Sequence, residues 1–298
     1  MRIAALSEDL PVLLDYFGLL PAITATSDGK VPGNVPPVAA IGRLEIRPPT
    51  INFDAVNIKK VQEVNPSHLV GFIRDPKVTA AEIKEFERSL AERIALPETL
   101  VRIFQLSTFD SLLSMFADIA VYLGQGQRGR ELAQRAKAQL MDLCNNFYPR
   151  MKNRKIAVLS SVQPMKLAGL WIPDLVKQAA AIPMHPYSGY PDRAITWDEL
   201  CEFNPDVIVV APRGVSVEES RKLFLEMEKL PRWNEVRAVM RGDVYFCEGQ
   251  SQFYYPTPAI IPSICTLIST IASLESGYIT PRDSFFKLRW LEVQRHRL

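Results

Sequence analysis

The feature that most constrains this 298-residue chain is an internal repeat. Ile58-Lys59-Lys60-Val61-Gln62-Glu63-Val64-Asn65-Pro66-Ser67-His68-Leu69-Val70 aligns without gaps with Trp197-Asp198-Glu199-Leu200-Cys201-Glu202-Phe203-Asn204-Pro205-Asp206-Val207-Ile208-Val209. In both segments apolar residues fall at the first, fourth and seventh places, the spacing of one helix face. Asn-Pro then stops the helix, because proline disfavours the α conformation in the residue before it. A short apolar strand follows at once. A second likeness pairs Arg2-Ile3-Ala4-Ala5-Leu6 with Lys155-Ile156-Ala157-Val158-Leu159. Pro66 and Pro205 lie 139 positions apart, and Arg2 and Lys155 lie 153 apart. Offsets this similar describe two halves of one architecture.

Each half reads strand, helix, loop, helix, strand, which predicts a parallel sheet covered by helices. Helical spacing also runs through Thr79–Leu96 and Leu112–Leu123. In Arg128–Tyr148, Leu132, Ala136, Leu140 and Cys144 recur every four residues, and no proline intervenes before Pro149. The expected fold class is therefore α/β: two Rossmann-like lobes with parallel sheets joined by one long helix. The expected domains are an N-terminal lobe over 1–127, a linking helix over 128–150 and a C-terminal lobe over 151–298. Gly124-Gln125-Gly126-Gln127 reads as a loop before that helix. A single helix is a stiff tether and limits hinge motion. Further along, the sequence predicts a helix over Val215–Leu230 and a turn at Arg241-Gly242-Asp243 entering a strand. A last helix is expected over Pro258–Leu274, ending near Gly277.

A formal charge of +2 leaves no electrostatic footprint for nucleic acid and no polybasic membrane anchor. The four cysteines (Cys144, Cys201, Cys247 and Cys265) form no CxxC pair and fit no zinc spacing, so they read as core residues in a reducing compartment. Glu8 and Asp9 interrupt any apolar run at the N-terminus, and no cleavage site follows. A cytoplasmic location is expected, or an extracytoplasmic one if an export signal has been removed. No HExxH, GxSxG, P-loop or GxGxxG motif is present, which argues against an enzyme. Of the three histidines, His68 reads as a strand residue and His296 as solvated. His185, in a proline-bounded loop, is the candidate for a metal or haem iron.

At these residues the chain resembles the class III, helical-backbone substrate-binding proteins, which carry cobalamin, siderophores and haem for ABC importers. The helix–Asn-Pro–strand unit in both halves is similar to the family's repeated helix–Lys-Pro-Asp–strand pattern. Leu230–Val239 followed by Arg241-Gly242-Asp243-Val244-Tyr245 is similar to its approach to the last strand. Three motifs of the cobalamin-binding-like branch can be compared. Glu-Trp after the first C-lobe strand is replaced by Ser160-Ser161. Gly-His-Trp-x-Pro-Glu stands as Gly169-Leu170-Trp171-Ile172-Pro173-Asp174. Phe-Asn-Arg-Pro-Gly-Pro-Arg stands as Phe253-Tyr254-Tyr255-Pro256-Thr257-Pro258-Ala259, without either arginine. The scaffold positions match and the polar site positions differ. The resemblance implies an ABC importer permease as partner, docked by one acid per lobe. Asp198 is that acid in the second lobe. Lys59 stands at the matching place in the first, with Asp54 one helical turn upstream.

In open α/β sheets ligands lie beyond the carboxyl ends of the strands. That rule selects the loops Ser7–Asp9, Ser27–Lys30, Phe72–Asp75, Ser160–Trp171, Arg213–Val215 and Gln250–Pro258. They offer Phe72, Arg74, Gln163, Trp171, Arg213, Phe253, Tyr254 and Tyr255 as ligand-binding residues. Flat aromatics with a few polar groups suit a large planar ligand. The expectation is a binding protein that clamps a small molecule between two lobes, with a corrinoid or haem as the ligand class that the resemblance implies. Two alternatives stay open: a metal-handling or enzymatic protein on the same scaffold, and a partner-binding module with a vestigial cleft.

Overall fold

The computed structural model describes residues 1–33, 36–47, 50–52, 55–247, 253–258, 260–271 and 285–287. The chain divides into two compact units, Met1–Gln134 with Pro256–Pro258, and Arg135–Tyr255 with Ala259–Leu298.

The first unit runs β1 (Ile3–Ala5), α1 (Leu10–Tyr16), β2 (Ile23–Thr26), β3 (Ala39–Ala40), β4 (Glu45–Arg47), β5 (Thr50–Asn52), α2 (Ile58–Val64), β6 (His68–Ile73), α3 (Ala80–Ile94), β7 (Val101–Gln105) and α4 (Phe109–Tyr122). Its five-stranded sheet has the order β3-β2-β1-β6-β7, and every pair in it is parallel. Strands β4 and β5 form a separate antiparallel pair. Ala4, Leu69, Val101 and Leu90 are buried in one core, as expected of strands covered on both faces.

Helix α5 (Gly126–Met151) runs across the division between the units and contains Pro149. It begins earlier than its composition suggests. Gly129 is helical, and a Cβ there would lie 2.5 Å from the Phe116 carbonyl on α4. Gly129, inside the expected helix, marks close helix packing, while Gly126 and Gln127, expected in the loop before it, already belong to α5.

The second unit runs β8 (Lys155–Val162), β9 (Met165–Leu167), α6 (Ile172–Gln178), β10 (Ile182–Pro183), β11 (Arg193–Ala194), α7 (Trp197–Phe203), β12 (Val207–Val210), α8 (Val217–Leu225), α9 (Arg237–Arg241), β13 (Val244–Cys247), α10 (Ile260–Ile271) and β14 (Phe285–Lys287). Strands β10, β8, β12 and β13 are parallel. The pairings of β9 with β8, of β11 with β9 and of β14 with β13 are antiparallel. The four parallel strands are those of the expected sheet, and β9, β11 and β14 add antiparallel pairings to it. Its core includes Leu159, Ile208, Phe224, Trp233 and Phe246, with the Phe224 and Trp233 rings 5.0 Å apart.

The sequence repeat has a backbone cause. Asn65 and Asn204 close α2 and α7 in the left-handed conformation, at φ 47° and 48°. Asparagine is among the few side chains that visit that region readily. The helix starts are equally local: Thr79 with Glu82, Thr108 with Ser111 and Thr196 with Glu199 each form reciprocal caps. The helix expected over Val215–Leu230 is α8 followed by a 3₁₀ turn over Glu226–Lys229. Gly277 and residues 272–274, at the expected end of the last helix, lie outside the described residues.

Candidate functional site

In the first unit, polar side chains gather where β1, β2 and β6 end. The Ser7 hydroxyl accepts from the Phe72 amide at 3.0 Å, tying the loop after β1 to β6. Asp9 is 3% exposed, and one of its carboxylate oxygens pairs with the Arg74 guanidinium. Its other oxygen, Oδ1, and the Ser27 hydroxyl are buried with no hydrogen-bond partner among the described residues. A buried acceptor without a donor costs free energy, and a donor brought to it would offset that cost.

In the second unit, Arg213 follows β12 at the position that the repeat pairs with Arg74. Its guanidinium carbon lies 3.8 Å from the centre of the Tyr254 ring, within cation–π range. Its Nη2 lies 3.6 Å from Asp192 Oδ1, and the same oxygen accepts from the Gly169 amide at 3.0 Å. Tyr254 is 2% exposed, and its hydroxyl has no partner among the described residues. Burial pushes the phenol's pKa up, opposed by the Arg213 charge.

Asp192 is positioned by the loop that follows β10. There the Tyr190 carbonyl accepts from the Leu170 amide at 2.6 Å, and the Gly189 amide donates to the Leu170 carbonyl at 2.9 Å. Gly169 permits this approach, since a Cβ on it would lie 2.2 Å from the Tyr190 carbonyl. His185 closes the loop from inside and is 5% exposed. Its Nδ1 faces the Tyr187 amide, a donor, at 3.4 Å. Nδ1 must therefore accept, so Nε2 carries the proton and donates to the Pro191 carbonyl at 3.2 Å. Lys177 Nζ donates to the Pro186 carbonyl at 2.7 Å and the Ser188 hydroxyl at 3.1 Å.

The structure treats the sequence-selected residues unequally. Arg74 and Arg213 stand at the carboxyl ends of equivalent strands, β6 and β12. Phe72 is buried in β6. Gln163 is exposed at the hairpin tip between β8 and β9, so the stretch Ser160–Trp171 is not an open loop. Trp171, Phe253 and Tyr254 are all buried, and the Trp171 indole N–H donates to the Phe253 carbonyl at 2.9 Å. Tyr255 is half-buried. Asp198 and Lys59 are both exposed in the first turns of α7 and α2. Asp54, Gln250 and His296 lie outside the described residues. Sequence reasoning did not single out Asp192, nor Asp9 as the partner of Arg74. It placed no site on the loop after β10 beyond His185, because a two-residue strand leaves no legible pattern. Among the described residues no three His, Cys, Asp or Glu side chains converge as a metal site, and none of the helices is long and apolar enough to cross a membrane.

No protein family profile matches the chain, and no curated protein does either. Solved structures do match. The haem-complexed IsdE of S. aureus is 18% identical, with a TM-score of 0.66 over 91% of this chain and 98% of that one. The periplasmic vitamin B12 binding protein BtuF of Vibrio cholerae is 16% identical, with a TM-score of 0.64 over 92% and 98%. A periplasmic haem-binding protein from Pseudomonas aeruginosa is 13% identical, with a TM-score of 0.64 over 97% and 98%. The fold of this chain is that of the class III ABC substrate-binding proteins.

Proposed function

We propose that this protein binds a small molecule at the carboxyl ends of its parallel strands, and that the molecule is a large planar macrocycle of the corrinoid or tetrapyrrole class. The observation that carries the reading is the matched pair of arginines. Arg74 after β6 and Arg213 after β12 are each held by an acid, Asp9 or Asp192, at the strand ends of their own unit. A guanidinium is a planar fork of N–H donors, the geometry that suits the carboxylate or amide arms of such a ligand. The vitamin B12 and haem ligands of the structural neighbours supply the ligand class. Delivery to an ABC permease, with Asp198 as the docking acid, belongs to the same proposal.

The test is equilibrium titration of the purified protein with haemin and with cyanocobalamin, followed by absorbance. Binding of one of them, weakened on the order of tenfold or more in both Arg74→Ala and Arg213→Ala, is the expected result. Equal affinity in the wild type and both variants would remove the arginines from the reading. A second reading is favoured by the burial of Trp171, Phe253 and Tyr254. In a partner-binding module with a vestigial cleft, such aromatics serve the core alone, and neither macrocycle binds.

A further inference from the structure

Along the outer edge of the first unit's sheet lies a groove apart from the strand ends. Strand β7 is the last in its sheet, and an edge strand ordinarily offers unpaired backbone groups to another chain. Here two of those donors are already taken. The Val101 amide donates to the Glu98 carbonyl. The Ile103 amide donates to Glu87 Oε1 at 2.7 Å, and Glu87, on α3, is 3% exposed. The other oxygen of Glu87 accepts from Arg102 Nη1 at 3.2 Å. An added strand would lack its hydrogen bonds, yet the space beside β7 is open. A groove of about 620 Å³ is lined by α3, β7 and α4, within the size of small-molecule sites, roughly 300–1,000 Å³. Helical spacing builds its walls. Ile83 and Lys84 stand four and three residues before Glu87 on α3, and Val121 and Tyr122 three and four residues after Asp118 on α4.

The groove offers both signs of charge. Lys84 on α3 and Asp118 on α4 are exposed, and the Arg102 side chain is 47% exposed. With Glu87, the two cations and two acids cancel. Between them lies apolar and aromatic surface. Phe104 stands edge to face with Tyr122 at 6.4 Å, and Val121 is exposed. The Tyr122 hydroxyl is buried with no hydrogen-bond partner among the described residues. Burial pushes its pKa up, so it stays a donor at neutral pH. Buried polar groups are rarely left unpaired, and this one lies on a wall of the groove.

We propose that this groove binds a small zwitterion with an apolar body, of the chemical class of a hydrophobic amino acid. Its carboxylate takes N–H donors from Arg102 and Lys84, its ammonium faces Asp118, and its apolar part lies on Phe104 and Val121. A ligand with no net charge but both signs matches a groove with no net charge but both signs, and a polyanion does not. The site shares no residue with the strand-end site of Arg74 and Arg213.

The experiment titrates the full chain with L-phenylalanine, with 3-phenylpropanoate, which lacks the ammonium, and with 2-phenylethylamine, which lacks the carboxylate. Backbone amide chemical shifts in NMR report both affinity and place. Phenylalanine should shift the amides of Phe104, Val121 and Tyr122 saturably, and each half-molecule should bind roughly tenfold or more weakly. Lys84→Glu and Asp118→Lys should each weaken phenylalanine by a similar factor. Both side chains are exposed, so both variants should unfold at nearly the wild-type temperature, which is checked in parallel. No saturable shift with phenylalanine would overturn the proposal. So would equal binding of either half-molecule, or shifts confined to the strand ends around Phe72 and Arg74. None of these results bears on macrocycle binding, which is read separately in Arg74→Ala and Arg213→Ala.

Discussion

The indole N–H of Trp171 donates to the carbonyl of Phe253 at 2.9 Å, joining the start of α6 to the segment before α10 inside one unit. Both side chains are buried, and Phe253 helps line an apolar cavity of about 40 Å³ with Ile172, Val209 and Ile264. Two residues that sequence alone offers as ligand contacts are thus bonded to each other. Replacing Trp171 by Phe keeps an aromatic ring but removes this buried hydrogen bond. A loss of ~1–3 kcal/mol is expected, read as a lower urea midpoint at unchanged slope.

The paired asparagines give a second prediction. Asn65→Ala and Asn204→Ala place a Cβ-bearing residue without a polar side chain in the left-handed region, at a cost of about 1–2 kcal/mol each. Asn204→Ala should cost more, because Asn204 Oδ1 also accepts from the Arg237 amide at 2.8 Å. Asn65→Gly should be close to neutral. Thermal denaturation of the three variants checks the ranking.

Asp206 makes stability depend on acid. Partial burial works to raise its pKa, but hydrogen bonds from Arg237 and from the Lys155 amide outweigh it and hold the carboxyl below its usual range. A carboxyl depressed on folding contributes stability above its unfolded value of ~3.9 and loses it as pH falls through the lower folded value. Asp206→Asn should therefore be less stable than the wild type at neutral pH. The two should converge as both are taken into acid. A gap that persists at the lowest pH would show that packing, not charge, is responsible.

The cysteines should behave as core. Burial pushes the Cys144 thiol up to about 11 and the Cys265 thiol up to about 12, and Cys201 and Cys247 are buried. At pH 8 the thiolate that reacts with iodoacetamide is scarce. Alkylation should be slow in the native protein and reach all four cysteines in urea, as mass spectrometry would count.

Much of the fold was legible because its punctuation is local. Asn-Pro after a 3.6-residue period marks the ends of α2 and α7. Gly126 misled, since a glycine at the start of α5 looks in sequence like one in a loop. The antiparallel strands β9, β11 and β14 have two or three residues each, too few to show alternation. The geometry of the candidate site was half legible for the same reason. Arg74 and Arg213 could be singled out as candidates because the repeat places them at equivalent strand ends. Their acids do not repeat: Asp9 follows β1, whereas Asp192 comes from the loop after β10. A contact made between distant segments leaves no period to read.

The most direct measurement is thermal unfolding of the wild-type protein against cyanocobalamin and haemin across a concentration series. A ligand that binds only the folded state adds ~2.7 kcal/mol at 100 times its dissociation constant. The account predicts a rise in Tm that grows with the logarithm of one macrocycle's concentration and shrinks in Arg213→Ala. A Tm that stays flat with both macrocycles would contradict it.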